Sequence, residues 1–532
     1  MTPARCRLLA LVTALLASCA ASEAMGLVPG QAAPPQAKPS IRELIEQLGD
    51  ADFARRQRAE EKLAAMGFDA YDAVEAATRH QDFEIAARAR YLLSFIRMHW
   101  TMQSDPDAVR ELLADYEFRG IDERLSRIRA LARLENVAGL PALCRLVRFE
   151  KSELLSKHAA IEALNLEPAD ENGRALLAET LRNHLGSSPR PAAQWLLAYL
   201  DLRNDPDAAR AAWAALVESE QSLLQKSPGH TSPQIVATLL YHLAEVQAKQ
   251  GVDELAETTA RQARQLSPGN HPEQLLMHLQ MAGALQRRGL FRWAEAEYRQ
   301  IIEAGVPEFA VVSQRYLAEM WHDQSNDAAA AESLRDAVAI MEKLQPKTQD
   351  VEIAGQSAKQ TRARMYYFES CRWEEQGDRA KQIDHLEKAL KDDPAEIDAL
   401  IACWRLPEQS QEFRQKIGDL IDRAASELRQ QAGDPPEDAN ACNQYAWLVG
   451  NTKGDSDDAL SLSLKSVEMN PTSGAFHDTL AHVYFGRGDY EKAVKTQTRA
   501  AELDPHSGLI RKQLEVFQAA LKKQQAEAKP RG

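Results

Sequence analysis

The sequence predicts an all-α fold, a right-handed α-solenoid of stacked helical hairpins. One segment near the C-terminus occurs twice with a period of 34 residues, because Ala459 recurs as Ala493 and Pro471 as Pro505. A fixed period of this length is typical of helical-hairpin arrays. The composition is dominated by helix-forming residues, aromatics make up only 6%, and no convincing run of alternating β-branched residues indicates a strand. Arrays of this kind rarely catalyse reactions and instead offer a long concave surface to a partner.

The length and the net charge limit the classes of protein to which this chain can belong. A solenoid can extend over all 532 residues as one continuous array. The formal net charge is −14, and the arginines are interspersed with acids rather than gathered in a basic stripe. Phosphate contacts need clustered Lys and Arg, so we expect no nucleic acid among the partners.

Residues 1–18 have the pattern of a signal peptide. Arg5 and Arg7 precede an apolar stretch from Leu8 to Leu16 that is too short to span a bilayer. The following Leu-Ala-Ser-Cys resembles the bacterial lipoprotein box, and the resemblance implies that Cys19 carries a lipid. The alternative is ordinary cleavage, for example after Ala24, with Cys19 discarded. In either case we expect export, and a lipidated end would be the only contact with a membrane.

Residues 19–40 are rich in Pro and Ala and are predicted to be a disordered tether. Residues 41–165 contain a shorter repeat, since Asp52 and Phe53 recur as Asp82 and Phe83, 30 positions later. The matched Ala and Leu positions that follow resemble HEAT repeats, which implies paired helices in a stack. Residues 166–232 are helical but poorly periodic, and we interpret them as an irregular connector.

The 34-residue unit covers residues 233–507. Small residues recur at fixed positions within it, and Gly or Pro follows at the turns. The matching positions are Ala244, Gly251, Ala256, Ala282, Gly289, Ala294, Ala318, Ala330, Ala446, Ala459, Ala481, Ala493 and Pro505. This pattern resembles the tetratricopeptide repeat, in which small residues let the two helices of a hairpin touch. Residues 508–532 are predicted to form a capping helix and tail.

The resemblance also implies which residues line the concave groove, namely the inner positions of each hairpin's first helix. The groove candidates that it gives are Tyr241, His242, Arg287, Arg315, Tyr316, Arg364, Tyr367, Phe368, Asn443, Trp447 and His482. Tyr, Trp and Arg are the types enriched at binding hot spots. The alternative is that aromatic rings at helical spacing pack against the neighbouring hairpin.

We find no catalytic motif in the sequence. His477 and His482 are five positions apart rather than four, which disfavours a metal pair on one helix. We therefore predict no enzyme activity, no cofactor and no metal. Four further cysteines are scattered along the chain, namely Cys144, Cys371, Cys403 and Cys442. We expect them to be small buried hydrophobic residues.

These patterns lead to one functional expectation. The protein is predicted to be a non-catalytic scaffold that binds a protein or peptide partner in the concave groove. Its expected location is the periplasmic face of the outer membrane or the cell surface as a lipoprotein, or otherwise the soluble periplasm. The alternatives are a non-catalytic subunit of an envelope enzyme or transport complex, and a structural envelope spacer.

Overall fold

The structure is a computed structural model that describes residues 39–95, 100–166, 168, 171–186, 188–344 and 352–528. The predicted signal peptide and Cys19 lie outside the described residues. The described part of the chain contains 26 α-helices, which confirms the all-α prediction. None of these helices is both long enough and apolar enough to cross a membrane. The chain divides into two compact units, Met1–Arg97 and Met98–Gly532.

The first unit contains four helices and the two predicted 30-residue repeats. Their bounds are α1 (Ile41–Gln47), α2 (Phe53–Met66), α3 (Phe68–Ala77) and α4 (Phe83–Phe95). The Asp of each repeat begins a helix, because Asp52 Oδ1 accepts from the Ala54 amide and Asp82 Oδ1 from the Glu84 amide, both at 2.8 Å. This is the preferred use of Asp at a helix N-terminus.

The second unit begins with shorter and less regular helices. They are α5 (Asp107–Leu113), α6 (Ile121–Ala132), α7 (Leu140–Phe149), α8 (Glu153–Leu164), α9 (Glu171–Leu185), α10 (Pro191–Asn204) and α11 (Pro206–Lys226). Lys157 is fully buried here, and its Nζ donates to Glu220 Oε2 at 3.0 Å and to the His230 carbonyl at 2.9 Å. The buried cation is therefore paired, as burial of a charge requires.

Antiparallel hairpins follow along the rest of the unit. Their helices are α12 (Pro233–Lys249), α13 (Asp253–Gln265), α14 (Pro272–Arg287), α15 (Phe291–Glu303), α16 (Pro307–Asp323), α17 (Asp327–Leu344), α18 (Ala358–Glu375), α19 (Arg379–Asp392), α20 (Ile397–Arg405), α21 (Gln411–Ala432), α22 (Ala439–Asn451), α23 (Ser456–Met469), α24 (Gly474–Gly486), α25 (Tyr490–Leu503) and α26 (Gly508–Ala528). The two helices of each hairpin pack against each other along this series.

The small residues of the predicted repeat are in the core. Ala244, Ala256, Ala282, Ala294, Ala318, Ala330, Ala446, Ala459, Ala481 and Ala493 are all fully buried. A methyl side chain lets two backbones approach more closely than a larger one does. The turns after α14 and α24 contain Gly289 and Gly488 at φ +72° and +80°, a conformation that glycine adopts without strain.

One short element departs from the all-α expectation. Strands β1 (Glu352–Ile353) and β2 (Gln356–Ser357) pair antiparallel between α17 and α18. Ser357 then begins α18, because its Oγ accepts from the Gln360 amide while Gln360 Oε1 accepts from the Ser357 amide. This reciprocal capping explains why α18 begins directly after the strand pair.

Candidate functional site

Five side chains on the first helices of the later hairpins form a connected polar cluster. We call Glu319, Arg364, Glu396, Asp398 and Trp447 the Arg364 surface. Arg364 Nε and Nη2 donate to the two Glu319 oxygens at 3.0 Å each, and Nη1 donates to Glu396 Oε1 at 3.0 Å. Asp398 also accepts from Arg364 Nη1 and accepts from Trp447 Nε1 at 2.8 Å. The cluster therefore connects α16, α18, α20 and α22.

The backbone at the start of α20 places two of these acids beside the guanidinium. Glu396 is the N-cap of α20, with Oε2 accepting from the Ala399 amide, and Asp398 lies in the first turn. Carboxylates are favoured there because the first amides of a helix lack internal partners. Both acids thus serve the helix end and Arg364 at once.

Burial and neighbouring charge separate the pKa values of the two acids. Burial and the negative charge of Asp398 together outweigh the opposing effect of Arg364 and raise the pKa of Glu396 to about 7. Burial also raises the pKa of Asp398, but the Arg364 charge and the hydrogen bonds from Arg364 and Trp447 outweigh it and lower that pKa. Near pH 7, Asp398 is the permanent counterion of Arg364 and Glu396 is only partly ionised.

The network continues to α24 through aromatic contacts. The Trp447 and His482 rings meet edge to face, with centroids 4.7 Å apart, and His482 Nδ1 lies 3.1 Å from Asn451 Oδ1. Burial, with the nearby Arg405 charge, lowers the pKa of His482 to about 3. His482 is therefore neutral at physiological pH and adds no charge to the surface.

Tyr316 and Glu319 are the open part of this region. Tyr316 is 53% exposed and stacks on Tyr298, with ring centroids 6.3 Å apart and planes at 15°. The side chain of Glu319 is 48% exposed although both its oxygens face Arg364. The two residues are three apart on α16 and so share one helix face. An exposed aromatic ring beside an accessible ion pair offers both apolar area and charge to a partner.

The same face of α16 ends at a contact with the C-terminal helices. Asp323 Oδ1 accepts from Ser507 Oγ at 2.5 Å, and Asp323 Oδ2 accepts from the Gly508 amide at 3.3 Å. Gln324 Nε2 also donates to the His506 carbonyl at 3.3 Å. The connection from α25 to α26 therefore covers the Asp323 end of this face.

Three of the predicted groove residues are part of the core. Tyr241, His242 and Phe368 are fully buried. The Tyr241 hydroxyl donates to Glu297, and His242 Nδ1 accepts from Arg288 Nη2 at 2.9 Å. The expectation of an open groove does not hold at these positions, because neighbouring helices enclose the rings. Any part in partner binding stays a prediction for the whole set.

The remaining predicted residues have mixed environments. Arg287 is exposed and Tyr367 is half-buried, with the Arg364 guanidinium 5.1 Å from the Tyr367 ring centre. Arg315 is half-buried, and its Nη1 donates to the Ile353 carbonyl at 3.1 Å. Asn443 is half-buried, and its side-chain oxygen finds no hydrogen-bond partner within the described residues. The structure thus brings Arg364, Tyr367, Trp447 and His482 together.

Sequence reasoning missed Glu396 and Asp398. Both lie where the 34-residue pattern fades, so no repeat register assigns them an inner position. A cap at the start of a helix was the available signal, since Glu396 precedes the apolar run of α20. That signal predicts a helix start and says nothing about Arg364, which is 32 residues earlier.

One further group of side chains has the composition of a metal site. Ligating atoms of His322, Asp327 and Cys371 all lie within 4.8 Å of one another. Among the described residues, this is the one group of at least three His, Cys, Asp or Glu side chains with such spacing. It adjoins the Arg364 surface, because His322 is one turn from Glu319 on α16.

Comparison with known proteins locates one repeat directly. The tetratricopeptide repeat family model matches residues 476–507, which comprise most of α24 and all of α25. A comparison with the curated proteins gives no match.

Solved structures that resemble the chain include other helical-repeat proteins. Yeast Tom70 is 12% identical, with 88% of this chain and 98% of that chain covered and a TM-score of 0.30. A tetratricopeptide repeat protein from Parabacteroides merdae is 11% identical, with 60% and 99% covered and a TM-score of 0.25. The human IFIT1 dimer with m7Gppp-AAAA is 16% identical, with 76% and 96% covered and a TM-score of 0.23. Likenesses this distant carry no argument about what this chain binds.

The family match and the packing of the hairpins agree with each other. Ala481 and Ala493, two of the small residues that identify the repeat, lie within the matched segment and are fully buried against the Phe517 ring cluster. The described chain is therefore an all-α array of stacked helical hairpins that contains a tetratricopeptide repeat at residues 476–507.

Proposed function

We propose that this protein is a non-catalytic interaction scaffold at the bacterial cell envelope, and that it binds a protein or peptide partner on the Arg364 surface. The coarse part of this proposal is supported by the tetratricopeptide repeat, a fold whose stacked hairpins suit protein binding. The location and the surface are the finer parts, and each has its own test.

The exposed pair of Tyr316 and Glu319 is the observation that carries the choice of surface. The other aromatic groove candidates are buried or half-buried, whereas Tyr316 is more than half exposed. Stacking on Tyr298 already holds the Tyr316 ring in place. The ring would therefore lose little conformational freedom when a partner binds. A rigid, exposed aromatic ring is the usual centre of a binding hot spot.

The charges of the surface indicate the chemistry of the partner. Three carboxylates, those of Glu319, Glu396 and Asp398, contact the single guanidinium of Arg364. Within the five residues of the Arg364 surface, the carboxylates outnumber the guanidinium even with Glu396 partly protonated. A partner segment with Lys or Arg next to an apolar or aromatic residue fits this surface, and its approach would be favoured by the net charge of −14.

The envelope location rests on the sequence of residues 1–19. Arg5 and Arg7, the short apolar stretch and Cys19 are the parts of an exported lipoprotein. A tether of residues 19–40 would then separate the anchor from the helical array.

The surface is tested by capture of a partner from envelope extracts by the purified protein and by two variants. Tyr316→Ala and Glu319→Lys are expected to weaken capture of the same protein at least tenfold, which is typical for loss of a hot-spot residue. Phe118→Ala is the matched control, because Phe118 is 80% exposed and lies far from α16 in the chain.

The folding of each variant is measured alongside its capture of the partner. Tyr316→Ala should keep the helical circular dichroism and melting temperature of the wild type, since the ring is exposed. Glu319→Lys removes a carboxylate partner of Arg364, so its capture is compared only at temperatures where its circular dichroism matches that of the wild type. Undiminished capture by both variants would refute the Arg364 surface as the binding site. Equal loss with Phe118→Ala would indicate binding that does not depend on this surface.

A further inference from the structure

The cluster of His322, Asp327 and Cys371 combines the three ligand types of a transition-metal site. The imidazole, carboxylate and thiol atoms all lie within 4.8 Å of one another. Each residue comes from a different helix, His322 from α16, Asp327 from α17 and Cys371 from α18. The arrangement therefore depends on the packing of three helices rather than on a local sequence motif.

The turn between α16 and α17 holds the first two ligands together. His322 lies in the last turn of α16 and Asp327 is the first residue of α17. Ser325 between them has φ +59°, the left-handed conformation that allows a tight reversal. His322 Nδ1 and Asp327 Oδ1 are 2.5 Å apart, so both side chains already point to the same place.

Aromatic contacts fix the orientation of the imidazole. The His322 ring stacks on Phe368, with centroids 4.5 Å apart and planes at 26°, and meets Tyr367 edge-on at 5.8 Å. Phe368 and Cys371 are three apart on α18, so the helix that supplies the thiol also positions the ring. A ligand held in this way loses little freedom when it binds an ion.

All three ligands are half-buried. Cys144, Cys403 and Cys442 are buried, whereas Cys371 is the partly accessible free cysteine of the described chain. Partial exposure gives an ion a route from solvent while the packed helices limit competition from water. The expectation that every cysteine is only a small hydrophobic residue therefore does not extend to Cys371.

We propose that His322, Asp327 and Cys371 bind a zinc ion. Zinc accepts nitrogen, oxygen and sulfur ligands in a tetrahedral arrangement, whereas calcium and magnesium prefer oxygen alone. Three protein ligands leave the fourth position for water or a ligand group. Each residue supplies one ligand atom, a ring nitrogen of His322, a carboxylate oxygen of Asp327 and the sulfur of Cys371. This proposal is independent of the proposed scaffold function.

Direct metal binding is the first test. The full-length protein, stripped of metal with a chelator, is titrated with ZnCl₂ by calorimetry and with CoCl₂ by visible absorption. We expect one site and a tetrahedral cobalt spectrum with a thiolate charge-transfer band. Cys371→Ser, His322→Gln and Asp327→Asn should each weaken zinc binding at least tenfold, because each change removes one of the three ligands.

Matched variants of residues outside the cluster control for loss of a thiol or an imidazole. Cys442→Ser and His385→Gln should bind zinc as the wild type does. No zinc binding by the wild type, or binding that all three cluster variants retain, would overturn the proposal.

A second measurement needs no variant and so does not depend on how the variants fold. Iodoacetamide labelling of each cysteine is followed by mass spectrometry with and without zinc. Zinc should slow alkylation of Cys371 at least tenfold, because a coordinated thiolate is not free to react, and should leave the rates at Cys403 and Cys442 unchanged. An unchanged rate at Cys371 under saturating zinc would contradict the proposal.

Discussion

Asp323 at the end of α16 caps α26, although the two segments are far apart in the chain. Its Oδ2 accepts from the Gly508 amide at 3.3 Å, and its Oδ1 accepts from Ser507 Oγ at 2.5 Å across 184 positions. The first amides of a helix lack internal partners, so a carboxylate supplied from another hairpin stabilises the helix start. The contact leaves no room for a larger residue at 508, because a Cβ there would lie 2.5 Å from the Asp323 carbonyl oxygen.

Removal of this carboxylate is expected to loosen the C-terminal helix. Asp323→Ala should lower the free energy of unfolding of the α26 region by about 1 kcal/mol, the usual effect of losing a helix cap. Hydrogen exchange of residues 508–528 measures the effect locally. Asp336→Ala on the exposed face of α17 is the control and should leave that exchange unchanged. Unaltered exchange in the Asp323 variant would show that the cap does not hold α26.

Asp478 should make stability depend on pH. Burial raises the pKa of Asp478 from 3.8 to about 6, Gln497 donates a hydrogen bond that opposes the rise, and the charge of Asp323 adds to it. A raised folded-state pKa favours folding at low pH, and this contribution is lost as pH rises from about 4 through about 6. Asp478→Asn should therefore be more stable than the wild type above pH 7, by on the order of 2 kcal/mol, and equal to it at pH 3.5.

Chemical denaturation at several pH values checks this dependence. Glu515→Gln on the exposed side of α26 is the charge-matched control and should change stability by less than about 0.5 kcal/mol at every pH. A stability difference between Asp478→Asn and the wild type that does not grow with pH would contradict the raised pKa.

Ala493 is expected to tolerate no charged side chain. It is fully buried beside Ala481 and Phe517, as the repeat pattern predicted. Ala493→Glu would place an unpaired carboxylate in a space filled by a methyl group, and should lower the free energy of unfolding by several kcal/mol. Lys492→Glu at the adjacent exposed position is the control and should have little effect. Thermal denaturation compares the two, and a wild-type melting curve for Ala493→Glu would refute the packing of α24 on α25.

The lipid anchor is tested by fractionation. If Cys19 is lipidated, the wild-type protein should partition into the detergent phase and Cys19→Ala should move it to the soluble periplasmic fraction. Cys442→Ser is the control for the loss of a cysteine. A wild-type protein that is already soluble, or a mature N-terminus at Met25, would contradict lipidation.

The repeat residues were predictable because their constraint is local. Small side chains every 34 residues determine how two helices touch, so the resemblance to the tetratricopeptide repeat placed Ala244 and Ala493 in the core. The groove candidates were less predictable, because the same helix position can face solvent or a neighbouring hairpin. Tyr316 is exposed and Phe368 is buried although both were assigned to the inner face.

Contacts between distant hairpins had no signal in the sequence. Asp323 and Gly508 meet only because of how the intervening helices stack, and Arg364 pairs with Asp398 across a segment in which the repeat is degenerate. The proposed zinc ligands also have no signal in the sequence, because His322 and Cys371 are brought together by the packing of α16 to α18. The repeat spacing in the sequence predicts the packing within one hairpin, whereas each of these sites is formed by residues of several hairpins.

Site-specific photocrosslinking in cells tests the central claim, that a protein partner occupies the Arg364 surface. A photoreactive phenylalanine analogue replaces Tyr316 in one strain and Phe118, an aromatic residue that is even more exposed, in another. We predict one crosslinked protein of defined mass at position 316, absent at position 118 and lost when Glu319→Lys is added. Crosslinks of equal yield at both positions, or a product at 316 that Glu319→Lys does not reduce, would contradict the claim.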